Sequence, residues 1–254
     1  MADLDASRPE LSALTALRPL QTLQGRAAVG LLAAMVSAAG GVVLLLPGAG
    51  VMPALAAVTG LGLGGVVMLR GLSNGYAHSR FGLANFITLG RAAGVAVLAS
   101  ALFAPLDDEA ARWALTALAL LILALDGLDG WAARRSGLSS SFGARFDVEV
   151  DTLFALVLAL LVWKSGVVGV WVIALGLFRP AFVGAAQIWP ALAAPLPEAF
   201  WRKTVCVVQI GALIALLSPA MSASAAPWVA FSVLLVLAVS FARDVRWLAC
   251  RARD

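Results

Sequence analysis

The chain has 254 residues, 62% of them hydrophobic and 13% charged, with Lys and Arg outnumbering Asp and Glu by 18 to 14. A soluble domain averages roughly 25% charged residues, and a soluble fold of this length has too much surface to hide so apolar a composition. The mean hydropathy of +0.96 therefore predicts an integral membrane protein; a disulfide scaffold is excluded by two cysteines without a CxxC pair, Cys206 and Cys250, and the Arg-borne positive balance reads as loops at a membrane face, with no nucleic acid as partner.

The stretch from Met1 to Gly25 is mixed and polar, with Asp3, Asp5, Arg8 and Glu10 before any apolar run. It lacks the layout of a signal peptide, so the first span is expected to stay in the protein. A transmembrane helix needs about 20 mostly apolar residues. Eight candidate spans follow, at 27–47, 52–69, 85–105, 112–130, 148–163, 166–188, 204–219 and 226–242. The predicted fold class is all-α, a polytopic membrane protein of about eight transmembrane helices.

Basic residues alternate across these spans. Arg8, Arg18 and Arg26 precede the first, and the 48–51 turn is uncharged. Arg70 and Arg80 follow the second, and the next turn is acidic at Asp107, Asp108 and Glu109. Arg134, Arg135 and Arg145 then face a lone Lys164; Arg202 and Lys203 precede the seventh span, and Arg243, Arg246, Arg251 and Arg253 close the chain. The positive-inside rule places both termini in the cytoplasm. Spans one and two hold no ionisable residue, which divides the chain into 1–71, an N-terminal segment with two packing or anchoring helices, and 72–254, which holds the chemistry and a C-terminal tail.

Five of the fourteen acidic residues fall between positions 126 and 151: Asp126, Asp129, Asp147, Glu149 and Asp151. A carboxylate near hydrocarbon costs several kcal/mol unless it is paired, solvated or bound to a cation. Asp126 and Asp129 are three apart and Asp147 and Asp151 four apart, so each pair shares a helix face. The intervening Arg134–Phe142 stretch turns one helix back on the other, bringing four carboxylates together at the cytoplasmic end of two antiparallel spans. Glu149 points off that face. Hard divalent cations, Mg²⁺ or Mn²⁺, are the natural compensation. Gly130, Ala133 and Gly143 add near-absent side chains on the same faces, leaving room for a pyrophosphate-bearing ligand. The carboxylates alone are equally compatible with the ion site of a cation- or proton-coupled transporter, and Gly130 and Ala133 alone with plain helix packing.

Taken whole, the window reads Asp126-x2-Asp129-Gly130-x2-Ala133-Arg134-x8-Gly143-x3-Asp147-x3-Asp151. This resembles the signature of the CDP-alcohol phosphatidyltransferase family at all eight of its fixed positions. Upstream, Asn85-x2-Thr88-x2-Arg91 is similar to the Asn-x2-Thr-x2-Arg that opens the family's first core helix. The resemblance covers about residues 72–246 and implies a six-helix core, to which the first two spans are additional. It implies a transferase of phospholipid synthesis: a CDP-linked lipid, usually CDP-diacylglycerol, gives its phosphatidyl group to an alcohol and CMP leaves. By the resemblance, Asp126, Asp129, Asp147 and Asp151 hold two metal ions, Mg²⁺ or Mn²⁺, and Asp151 also stands where a general base is proposed. Asn85, Thr88, Gly130, Arg134 and Ser140 match CDP-contacting positions, and Ala133 and Gly143 are grouped with them. The family further implies a homodimer in a cell membrane, of bacterial inner-membrane type, with a cytoplasmic active site.

Acceptor choice is expected from basic residues facing the same cavity. Arg179 lies inside span six beside Pro180, where it either reads the acceptor or pairs with one of the aspartates. Arg202 and Lys203 open span seven, and Arg243 and Arg246 follow span eight. Arg and Lys recognise phosphate well, which makes a polyol phosphate such as glycerol 3-phosphate the first choice of acceptor. Lys203-Thr204, followed by Gln209, is similar to a Lys-Thr…Gln pattern of glycerophosphate-using members, with a longer gap here. Positive-inside topology accounts equally well for several of these basic residues.

Overall fold

The computed structural model describes residues 22–73, 81–136, 140–194 and 200–251, all of them helix or connecting turn. Eight α-helices follow in chain order: α1 (Leu23–Leu45), α2 (Met52–Ser73), α3 (Leu83–Ser100), α4 (Glu109–Ser136), α5 (Ser141–Lys164), α6 (Ile173–Ile188), α7 (Phe200–Leu217) and α8 (Ala226–Arg251). Single 3₁₀ turns at Ala101–Phe103, Val170–Val172 and Pro190–Ala193 join some of them. The caps are local and chemical. Thr22 accepts from the Gly25 N–H at the start of α1, Asp108 from the N–H groups of Ala110 and Ala111 at α4, and Ser140 from the Gly143 N–H at α5. Gly166, at φ +73°, takes the left-handed conformation that ends α5 without a Cβ clash.

Among the described residues, seven helices are long and apolar enough to cross a membrane. The eighth, α5, falls outside that set because Asp147, Glu149 and Asp151 crowd its first half, leaving an apolar run only from Thr152 to Trp163. It is an interior helix, packed against α3, α6 and α7. The other interior helix is α3, which touches α1, α2, α4 and α5. Its apolar stretch is 56% buried, against 17–33% for the other six spans, so lipid meets mainly those six. Leu98, Leu115, Ile122, Phe154, Leu158, Leu161, Leu213 and Leu237 fill the core between the helices.

Glycines set the tightest helix contacts. A Cβ at Gly94 would come within 2.9 Å of Ile122, so α3 and α4 meet closely there. At Gly176 the obstacle is backbone, with Leu156 Cα at 2.6 Å and the Ala155 carbonyl oxygen at 3.1 Å, which brings α6 hard against α5. Gly71 of α2 admits the Phe142 ring, linking the N-terminal helix pair to the start of α5.

One end of the bundle is tied by cations on helix C-termini, where unsatisfied carbonyls and the macrodipole favour positive charge. The Lys164 ammonium, at the end of α5, donates to the carbonyls of Ala101, Leu102 and Ala104 just past α3. Arg112, at the start of α4, donates to the Leu217 carbonyl that ends α7 at 3.2 Å. Lys164, expected as a lone loop charge, is therefore a helix tie. Lys164→Met is expected to lower the melting temperature of the detergent-purified chain by about 2–6 °C, from the loss of charge-assisted hydrogen bonds. An unchanged melting temperature would show the tie to be dispensable.

Candidate active site

The opposite end carries the acids. Asp126 lies in the second half of α4, and Asp147 and Asp151 occupy one face of α5's first half. Packing of α4 and α5 on either side of α3 converges them: one carboxylate oxygen from each of the three lies within 4.8 Å of the others. At an effective dielectric constant of about 20, charges this close repel by roughly 3–4 kcal/mol per pair. Each aspartate remains about one-third exposed, at 33–35%. Glu149 is exposed and outside the cluster, as its helical position predicts. The side chains of Asp129, Gly130, Ala133 and Arg134 lie outside the described residues.

A cation of the chain itself stands in the middle. Arg91, 1% exposed, extends from α3 and pairs through Nη2 with Asp126 at 2.8 Å, through Nη1 with Asp147 at 2.5 Å, and through Nη2 with Asp151. Removing one partner of a fully buried pair typically costs about 3–5 kcal/mol; here solvent at the one-third-exposed aspartates lowers that cost. The role of Arg91 was not read from the sequence, where it counted only as the last position of the Asn85–Thr88–Arg91 motif. The available signal was its spacing: Asn85, Thr88 and Arg91 recur every third residue, so all three turn into the bundle, and all three are buried.

Beside this cluster, α3 and the start of α5 form a polar corner. A Cβ at Gly143 would sit 2.9 Å from Asn85 Oδ1 and 3.2 Å from Ser140 Oγ, so the three residues that the sequence grouped for nucleotide contact are neighbours. Thr88 donates its hydroxyl to the Ala84 carbonyl at 3.0 Å, one turn back.

The basic residues expected around the acceptor are less tightly gathered. Arg179 is exposed on α6 and pairs with none of the three aspartates, a position filled by Arg91. Arg202 is half-buried and pairs with Asp244 of α8 at 3.4 Å, while Lys203 and Arg243 are exposed. Gln209 donates its amide to the Leu175 carbonyl of α6, a structural contact between helices.

Fold and site together define a polytopic α-helical membrane protein with a carboxylate centre at one end of its bundle. A model of the family described as CDP-alcohol phosphatidyltransferase matches residues 81–242, and the chain belongs to that family. The match runs from just before α3 into α8, and leaves out α1 and α2. No curated protein and no solved structure matches the chain. Membership makes the activity phosphatidyl transfer from a CDP-alcohol to an alcohol, in a family that depends on divalent metal. The donor set fits such an ion: clustered carboxylate oxygens are what hard divalent cations take.

Proposed function

We propose that the protein transfers the phosphatidyl group of CDP-diacylglycerol to a phosphorylated alcohol of the glycerol 3-phosphate type, releasing CMP in phospholipid synthesis at the cytoplasmic face of a bacterial inner membrane. The observation that carries the reading is the convergence of Asp126, Asp147 and Asp151 within the family-matched stretch. Asp126, Asp129, Asp147 and Asp151 would hold two ions, Mg²⁺ or Mn²⁺, which when bound neutralise charge on the donor's pyrophosphate oxygens. The chain's own residues do the rest. Asn85, Thr88, Ser140 and Gly143, with Gly130, Ala133 and Arg134, form the nucleotide corner; the polar groups of Asn85 and Ser140 orient the CDP moiety, and Gly143 keeps the space between them open. Asp151 accepts the proton of the acceptor hydroxyl as the new P–O bond forms and the bond to CMP breaks. Arg179, Arg202, Lys203 and Arg243 supply positive charge at the rim for the acceptor phosphate. Residues 1–71 serve as an anchoring segment packed on α3, and 72–254 form the catalytic unit.

The test is CMP release by the purified full chain with CDP-diacylglycerol and a panel of alcohols. Release is expected with Mn²⁺ or Mg²⁺, highest with glycerol 3-phosphate, and abolished by EDTA and restored by returning the ion. Absence of release with every acceptor would overturn the transferase reading. Release only with unphosphorylated alcohols would overturn the acceptor assignment.

A further inference from the structure

Asp126, Asp147 and Asp151 carry three negative charges in one cluster, and Arg91 meets all three through two nitrogens. The acids come from α4 and α5 and the guanidinium from α3, so this contact joins three helices. Arg91 therefore holds the three carboxylates together across the helices that carry them. It does so at the Oδ1 atom of each aspartate, occupying oxygens that would otherwise be open to a cation.

We propose that Arg91 is a positioning residue that serves as the resident counter-cation of the metal-free site: it keeps the three aspartates assembled before ions arrive, and competes with those ions for the carboxylate oxygens. The inference rests on the metal-dependent reading above and adds a second state to it. Its physical basis is that a guanidinium fork makes strong, charge-assisted bonds to carboxylates, and that clustered carboxylates repel one another unless a cation stands among them. Metal affinity is then set by an exchange of cations. The acids stay in place through ion loss, at the cost of weaker ion binding.

The test uses the full chain in detergent, with Mn²⁺ binding followed by the electron paramagnetic resonance of the free ion and melting measured in EDTA and in Mn²⁺. Arg91→Gln is expected to bind Mn²⁺ at least about tenfold more tightly than wild type, the equivalent of one charge-assisted hydrogen bond no longer displaced. Its melting temperature is expected to fall in EDTA and to recover most of the loss in Mn²⁺, whereas wild type gains less from the ion. Arg91→Lys, which keeps the charge but not the fork, is expected to lie between them. A purely structural arginine would lower melting equally in both conditions and leave Mn²⁺ affinity where it was. Unchanged or weaker Mn²⁺ binding by Arg91→Gln overturns the proposal. If that variant cannot be extracted, unchanged or weaker binding by Arg91→Lys does the same. A wild-type chain that binds no Mn²⁺ at all would instead sink the metal-dependent reading.

Discussion

Asp151→Asn is expected to lower CMP release by at least about a hundredfold at saturating donor and acceptor, the usual contribution of a positioned proton acceptor. Asparagine preserves the volume but can neither take up the acceptor proton nor present a charged oxygen beside Asp126 and Asp147. The variant also loses one of three ionic acceptors for Arg91, so its melting temperature must be read alongside its rate. Glu149→Gln is the matched control. It lies two residues away on the same helix, is exposed, and takes no part in the cluster, so it is expected to turn over as wild type does. Wild-type turnover by Asp151→Asn would remove this aspartate from the chemistry.

The second large effect falls on stability. Gly176→Ala adds one methyl group 2.6 Å from the Leu156 Cα and 3.1 Å from the Ala155 carbonyl oxygen. No change of rotamer relieves a clash with backbone, so α6 must move away from α5. Overpacking of this kind costs about 1–3 kcal/mol, or roughly 2–12 °C in melting temperature for a chain of this size. Gly71→Ala meets only the edge of the Phe142 ring, which can turn aside, and is expected to melt closer to wild type. Equal melting of the two variants would show that the α5–α6 contact is looser than its geometry implies.

The helix count and the acidic convergence were both legible in the sequence, because each depends on local pattern. Hydropathy marks spans, and spacings of three and four residues give each pair of acids one helix face; the structure then brings Asp126 to Asp147 and Asp151 with α4 and α5 packed chiefly on α3 rather than on each other. Helix ends were less legible. The structure carries α4 to Ser136 and α8 to Arg251, beyond the expected 130 and 242, because backbone hydrogen bonding continues where the apolar run stops. For α5 the extension lies at the start: the helix begins at Ser141, before the expected 148, and its acid-bearing first half keeps it out of the set of membrane-long apolar helices. The partner of the acids was hidden for a different reason. Arg91 lies 35 positions before Asp126, so its spacing with Asn85 and Thr88 marks it as inward-facing but does not say which charges it meets. Arg179 has the same costly position inside a span, yet Arg91 is the one that three-helix packing buries among carboxylates.

The cationic ties at the far end limit how the bundle can move. Lys164 locks the finish of α5 to the finish of α3, and Arg112 holds α4 to the finish of α7. Two pairs of helix ends are thus pinned at the end of the bundle remote from the acids, so forces that spread the acid-bearing end meet resistance at the other.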